Sequence, residues 1–100
     1  MSVIVDLTIF PMDKGGSGLS TYVSRVLNLI RESGLKHQLG PMGTAIEGEW
    51  DEVMAVVTRC YKALEPDCDR LYVNIKADVR KGRTDGLKTK VGAVMAKAGS

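Results

Sequence analysis

Histidine, cysteine and aromatic residues are scarce in this chain of 100 residues. The single histidine, His37, would have to carry any histidine-based catalytic triad alone, and no motif around it suggests one. The two cysteines, Cys60 and Cys68, lack the spacing of a zinc or redox motif and have no histidine near them. The sequence therefore predicts no metal site and no cofactor. Any stacking surface must use one of only five aromatic residues: Phe10, Tyr22, Trp50, Tyr61 and Tyr72.

Long apolar runs are also missing, and the first residues lack the basic region and the length of a signal peptide. We therefore expect a cytoplasmic protein with a single domain over residues 1–100. The net charge of +2 is unevenly distributed, since residues 76–100 hold seven basic and two acidic side chains. Such a basic end could attract an anion or nucleic acid, although a solvated surface is the simpler interpretation.

Apolar periodicity divides the chain into alternating strands and helices. Period-2 alternation predicts strands, and apolar residues at helical spacing predict amphipathic helices. Gly34 is a typical stop for the first helix, and Gly48 is expected to break the third strand. The predicted strands are residues 3–10, 35–39, 44–46 and 70–80, and the predicted helices are residues 19–31, 50–64 and 87–98.

The resulting order is β-α-β-β-α-β with a short C-terminal helix, which predicts the α+β, ferredoxin-like fold. Both long helices should cover one face of a four-stranded antiparallel sheet. The other face is expected to carry mostly polar residues: Asp6, Thr8, Tyr72, Asn74, Lys76 and Asp78. A sheet face left open in so small a domain often meets another subunit, so a homo-oligomer is predicted.

The corner between the third strand and the second helix, residues 41–54, brings different chemical groups together within few residues. Thr44 supplies a hydroxyl, Glu47 a carboxylate and Trp50 an indole, while Gly43 and Gly48 leave the backbone bare. Each also has a structural interpretation, because glycines suit turns and acids favour the start of a helix. For Glu47, a surface salt bridge with Lys76 or Arg80 is an alternative of equal weight to a contact with a ligand.

Several segments resemble a known family. The run Pro-Met-Gly-Thr-Ala-Ile-Glu-Gly at residues 41–48 is the most specific of them. Residues 20–23, 33–35, 51–54 and 75–80 are similar too, and they come in the family's order. By these motifs the chain resembles the small thiamine-binding, YkoF-like family over nearly its whole length. The resemblance implies a ferredoxin-like fold, dimers or tetramers, and binding of thiamine or its hydroxymethylpyrimidine part.

An aminopyrimidine ligand requires an apolar or aromatic wall and a few placed polar groups. Trp50 or Tyr22 could supply that wall, although the position of Tyr22 in the helical stripe favours core packing. Thr44 and the backbone near Gly43 and Gly48 could supply hydrogen bonds. The Glu47 carboxylate could face the thiazolium cation, and Ser20, at the start of the first helix, could contact a hydroxyl or an anion.

The leading hypothesis is a non-catalytic small-molecule binder acting as a carrier, buffer or sensor. An oligomeric structural or regulatory protein without a metabolite ligand is the main alternative. An enzyme would need Glu47 and Asp51 as an acid/base pair beside Thr44. An RNA-binding module would use the open sheet face, but the last strand holds only Tyr72 for stacking and no signature of such modules is present, so nucleic acid is not the expected partner.

Overall fold

The computed structural model describes residues 2–15, 18–82, 86–87 and 94. The strands are β1 (Ser2–Pro11), β2 (Lys36–Leu39), β3 (Thr44–Glu49) and β4 (Leu71–Arg80), and the helices are α1 (Gly18–Glu32) and α2 (Trp50–Leu64). A 3₁₀ turn at Glu65–Asp67, which contains Pro66, closes α2. Most of the predicted helix at residues 87–98 lies outside the described residues.

The four strands form one antiparallel sheet in the order β2-β3-β1-β4. The two central strands are therefore β1 and β3, and each β-α-β crossover passes over the sheet to a strand that is not its neighbour. This is the predicted α+β, ferredoxin-like arrangement, and it is confirmed. Each strand lies within one or two residues of its predicted bounds except β3, which is longer.

One face of the sheet is closed by both helices. Alternate residues of β1 point to this face and are buried, together with Ile46 of β3. The helices contribute buried residues from single stripes, as their periodicity predicts. The core consists of Val3, Val5, Leu7, Ile9, Val26, Ile30, Ile46, Val53, Val56, Val57, Cys60 and Leu64.

Gly48 does not break β3, which was wrongly predicted to end at Ile46. The residue pairs with Val3 in the β1–β3 ladder, and the strand continues to Glu49. An added Cβ at Gly48 would lie 3.3 Å from side-chain atoms of both Leu35 and Val53. Glycine at this position therefore allows close helix–sheet packing within an extended strand.

Gly34 has the role predicted for it after α1. Its φ angle of 75° lies in the left-handed region that glycine adopts at little cost. Its N–H donates to the Arg31 carbonyl at 3.2 Å, which satisfies one of the last carbonyls of α1. The chain then turns directly into β2.

Candidate functional site

The predicted site residues on the third strand lie at two ends and on two faces of the sheet. Gly43 and Thr44 are at the start of β3, whereas Gly48 and Trp50 are at its far end, roughly 20 Å away at the rise of an extended chain. Thr44 pairs with Leu7 and shares its helix-covered face. Glu47 pairs with Ile4 and points to the opposite face. The corner predicted as one unit is thus divided.

A cleft of about 310 Å³ opens at the Thr44 end, on the helix-covered side. It lies between the first half of α1, the end of β1 and the turn that joins β2 to β3. Its walls are almost entirely apolar, apart from two threonines and the backbone of the turn. The lining residues are Leu7, Thr8, Ile9, Phe10, Leu19, Val23, Val26, Leu39, Gly40, Pro41, Met42, Gly43 and Thr44.

Thr44 places a polar group in the inner wall of this cleft. Only 7% of the residue is exposed to solvent. Across the part of the chain that the structure describes, no hydrogen bond from or to its hydroxyl is found. Buried hydroxyl groups nearly always have a partner, because burial without one costs about 1–3 kcal/mol. The Thr44 hydroxyl is therefore available to a molecule that enters the cleft.

The turn beside Thr44 is held closely against β1. The Thr8 hydroxyl donates to the Met42 carbonyl at 2.7 Å, and the Gly40 N–H donates to the Gly43 carbonyl at 2.8 Å. An added Cβ at Gly43 would lie 2.8 Å from the Thr8 hydroxyl oxygen and 2.9 Å from an Asp6 carboxylate oxygen. A side chain at this position would have to displace those of Thr8 and Asp6, and the Leu7 carbonyl oxygen lies only 3.0 Å away, so glycine lets the turn lie close to β1.

The two site residues predicted on α1, Ser20 and Tyr22, do not line this cleft. Tyr22 is half-buried and packs against the core, and the Arg25 guanidinium lies 5.1 Å from its ring centroid. Arg25 also donates to Asp67 at 3.0 Å and to the Ala63 carbonyl at 3.1 Å, which connects α1 to the end of α2. Ser20 is exposed on the outer side of the helix.

The α1 residues that do line the cleft are Leu19, Val23 and Val26. All three belong to the apolar stripe of the helix, whose spacing by itself predicts core packing. The signal that could have identified them is the length of the hairpin opposite. Strand β2 has only four residues, and Val23 on α1 is 44% exposed although it belongs to the apolar stripe.

Glu47 is buried on the face of the sheet opposite to the cleft. Its carboxylate accepts hydrogen bonds from the backbone N–H groups of Gly86, at 2.5 Å, and Leu87, at 3.4 Å. Both residues are helical, so the carboxylate satisfies free N–H groups of a helical segment. Trp50 is the first residue of α2 and remains half-exposed.

A second cleft, of about 330 Å³, lies on the open face of the sheet. Its most distinctive feature is a stacked pair of rings, Phe10 and Tyr72, whose centroids are 5.1 Å apart. These residues are direct partners in the β1–β4 ladder, a pairing that the sequence analysis did not identify. Its lining residues are Asp6, Thr8, Phe10, Met42, Tyr72, Asn74 and Lys76.

Two structural features are absent from the described ranges, 2–15, 18–82, 86–87 and 94. Within them no group of three potential metal-ligating side chains is found, and no helix is long and apolar enough to cross a membrane. Cys60 and Cys68 are free thiols. Burial raises the pKa of Cys60 to about 11, so this thiol is unreactive rather than a nucleophile.

Curated relatives resemble this chain over almost its full length. A UPF0045 protein of Mycobacterium bovis is 40% identical over 95 residues, which are 94% of this chain and 92% of the relative. A UPF0045 protein of Synechocystis is 37% identical over 95 residues, with 94% and 78% of the two chains covered. The matched regions thus cover most of this chain and most of each relative.

Solved structures share the fold. A hypothetical protein of Methanocaldococcus jannaschii superposes with a TM-score of 0.83 at 29% identity, over 93% of this chain and 95% of that one. A Thermotoga maritima protein, named as a candidate for thiamine biosynthesis or salvage, gives a TM-score of 0.76 at 26% identity, over 92% and 99%. The model of the family described as "Thiamine-binding protein" matches residues 5–95. The resemblance seen in the sequence motifs is thereby confirmed, and the chain belongs to the thiamine-binding protein family.

Proposed function

We propose that this protein binds thiamine or its hydroxymethylpyrimidine part in the cleft beside Thr44, as a carrier, buffer or sensor. The observation that carries this proposal is the buried Thr44 hydroxyl, for which the described residues provide no partner. The family name and the name of the Thermotoga neighbour support the ligand class. The location of the cleft, next to the family-like run at residues 41–48, supports the site.

The chemistry of the cleft suits a flat, weakly polar ring. Aliphatic side chains such as Leu19, Val23 and Leu39 offer an apolar wall. Thr44 can both donate and accept, so it suits either the amino group or a ring nitrogen of an aminopyrimidine. In this arrangement the wall comes from α1 and the hairpin rather than from Trp50 or Tyr22.

The protein is proposed to act without catalysis. The acid/base hypothesis requires Glu47 and Asp51 to act beside Thr44, but Thr44 and Glu47 point to opposite faces of β3. The Glu47 carboxylate already accepts two backbone hydrogen bonds, and Asp51 is exposed in the first turn of α2. This separation favours a binding role over proton transfer.

We propose in addition a cytoplasmic location and a homo-oligomeric state. Two free thiols without a disulfide are typical of a reducing compartment. The apolar side chains of β4 that neither α1 nor α2 covers, among them Ile75 and Val79, favour association with another chain.

Isothermal titration calorimetry with thiamine, and separately with its hydroxymethylpyrimidine part, tests the ligand and the site together. We expect saturable binding that Thr44→Val weakens roughly 3- to 10-fold, the value of one hydrogen bond. Valine has nearly the same shape as threonine, so the fold should remain unchanged. The matched control is Thr58→Val, since the Thr58 hydroxyl donates to the Met54 carbonyl on the exposed side of α2.

Other outcomes would relocate or remove the proposed site. Binding that is unaffected by Thr44→Val but lost in Trp50→Ala or Glu47→Gln would move the site to the far end of β3. Absence of heat with both ligands at millimolar concentration, a binding free energy weaker than about −4 kcal/mol, would contradict the ligand class. A structural or regulatory oligomer without a metabolite would then be the better description.

The second cleft gives the RNA- or anion-binding alternative a defined location. Stacked Phe10 and Tyr72 beside Lys76 provide ring faces and a positive charge on the open sheet. Fluorescence anisotropy with a labelled single-stranded RNA would detect this activity, whose affinity must fall steeply with salt. We expect no such salt-dependent binding.

A further inference from the structure

The rim of the cleft beside Thr44 exposes two large apolar side chains. Met42 is 83% exposed and Leu39 is 59% exposed, although both residues line the cleft. Within the part of the chain that the structure describes, no other large apolar residue is as exposed as Met42. Because burial of apolar surface is favourable, these two side chains gain free energy when a molecule in the cleft covers them.

The backbone of Met42 is fixed even though its side chain is exposed. Its carbonyl accepts a hydrogen bond from the Thr8 hydroxyl at 2.7 Å, and the Gly40 N–H donates to the Gly43 carbonyl at 2.8 Å. Pro41, the residue before it, has a restricted φ angle. The Met42 side chain therefore projects from a fixed point, and its own rotatable bonds decide where it lies.

We propose that the Met42 side chain packs over the ligand in the cleft beside Thr44, and that Thr8 is a positioning residue for it. This inference rests on the proposed function and adds a contact and a positioning role to that site. An unbranched thioether adapts to the shape of its partner and makes favourable contacts with aromatic rings. Thr44 would then hold the flat ring from the inner wall, while Met42 covers it at the mouth.

Met42 borders both clefts, and the chemistry of their walls decides between them. The lining of the second cleft includes the charged residues Asp6 and Lys76. The lining of the cleft beside Thr44 includes no charged residue, and the exposed Leu39 lies on the same rim. A thioether gains more against apolar walls than beside solvated charges, which favours the cleft beside Thr44.

Calorimetry with thiamine, and separately with its hydroxymethylpyrimidine part, tests the contact. Met42→Ala should weaken binding about 5-fold or more, and Met42→Leu should keep most of the affinity because its volume is similar. The free energy of unfolding should not change in Met42→Ala, since the side chain is exposed in the free protein. The matched control is Val79→Ala, which also removes an exposed apolar side chain but lines neither cleft.

A double-mutant cycle tests whether Thr8 acts through Met42. Thr8→Val keeps the shape of the side chain but removes the hydroxyl, so binding should weaken about 3-fold or more. Thr8→Ser keeps the donor and should bind as the wild type does. In the Met42→Ala background, Thr8→Val should have an effect below about 2-fold, because the side chain that Thr8 positions is already gone. Fully additive effects would overturn the positioning role of Thr8.

Oxidation by hydrogen peroxide tests the position of Met42 without any substitution at the site. Exposed methionines are converted to the sulfoxide, and peptide mass spectrometry measures the rate at each one. Saturating thiamine should slow the oxidation of Met42 about 5-fold or more, because a covered thioether is less accessible to peroxide. Met12, which is 46% exposed and lines neither cleft, is the internal control whose rate should not change.

The possible results separate this inference from the proposed function. Binding that Thr44→Val weakens but Met42→Ala leaves unchanged, without protection of Met42, would overturn the inference alone. Protection of Met42 together with binding that Thr44→Val does not affect would place the ligand in the second cleft, and would also overturn it. A wild-type protein that binds neither ligand would overturn the proposed function and this inference with it.

Discussion

Strands β1 and β4 have the same length and the same alternation, and they pair along their whole length, yet their apolar rows differ in burial. Val3, Leu7 and Ile9 of β1 are almost fully buried, whereas their direct partners on β4, Val79, Ile75 and Val73, are about two-fifths exposed. The difference arises from position in the sheet. Both helices pack on the central strands, and β4 lies at the edge beyond them.

Alternation therefore predicts which face of a strand is apolar but not whether anything covers that face. Cover depends on where the crossover helices lie, and two helices can close only about two strands of this sheet. The row of β4 that α1 and α2 leave exposed contributes less to the stability of the fold than the covered row of β1.

The largest difference in stability is expected when one valine on each of the two strands is replaced by alanine. Val3 and Val79 are direct cross-strand partners with different exposure, so they form a matched pair. Val3→Ala should lower the free energy of unfolding by about 2–3 kcal/mol, from lost burial and the cavity left behind. Val79→Ala should lower it by less than about 1 kcal/mol. Urea unfolding of both variants, at a concentration where the chain is monomeric, measures the difference.

If the two substitutions lowered the free energy of unfolding equally, side-chain exposure would not decide how much each valine contributes to stability. A higher cost for Val79→Ala that appears only at high protein concentration would instead point to its burial in an oligomer. The concentration series therefore separates the monomer's core from an interface between copies.

The two cysteines repeat the contrast between covered and uncovered positions. Cys60 is buried on the inner side of α2 and its thiol lies 3.9 Å from the Val26 carbonyl, whereas Cys68 is half-buried beyond the 3₁₀ turn. Burial raises the pKa of both thiols, that of Cys60 to about 11. In the native protein, a thiol reagent should modify Cys68 at least about 100-fold faster than Cys60. Rapid modification of both thiols before unfolding would contradict the buried placement of Cys60.

The Cys60 thiol also predicts how stability depends on pH. Its pKa is higher in the folded chain, about 11 against 9.0, so the folded state holds this proton more tightly. The contribution is fully present below pH 9 and is lost as the pH rises towards 11, by on the order of 2 kcal/mol. Unfolding free energies of the wild type and Cys60→Ala between pH 8 and 11 should show a smaller decline in the variant. If the unfolding free energy declined equally in both proteins, other titrating groups would be responsible for the pH dependence.

The fold could be predicted because its signals are local. The alternation of β1, the stripe of α2 and the glycine stop after α1 each depend on residues a few positions apart. The prediction failed at Gly48, where a glycine was interpreted as a strand breaker although Leu35 and Val53 require its small size. That reason depends on packing between distant segments, which periodicity does not contain.

The candidate site was predictable only in part. Gly43 and Thr44 were identified from the turn and its resemblance to a known motif, and they do line a cleft. The partners of Glu47 are backbone N–H groups 39 and 40 residues along the chain, with no side-chain signal to indicate them. The predicted corner is divided between two faces because side chains alternate along a strand. The sequence analysis missed this division because it ended β3 at Ile46.

The smallest expected effect concerns the contact that joins β1 to the edge strand on the open face. Phe10 and Tyr72 are stacked with an interplanar angle of 24°, and Asn74 donates to the Tyr72 hydroxyl at 3.3 Å. A double-mutant cycle of Phe10→Leu and Tyr72→Leu should give a coupling of about 0.5–1 kcal/mol beyond the lost area. The matched control is the cycle of Phe10→Leu with Tyr61→Leu, since Tyr61 lies on α2 and hydrogen-bonds Glu65. Coupling in the first cycle alone would show that ring stacking holds β4 to the sheet where neither α1 nor α2 does. If both couplings are near zero, the backbone ladder is sufficient, and the aromatic pair is then better explained by binding on the open face than by stability.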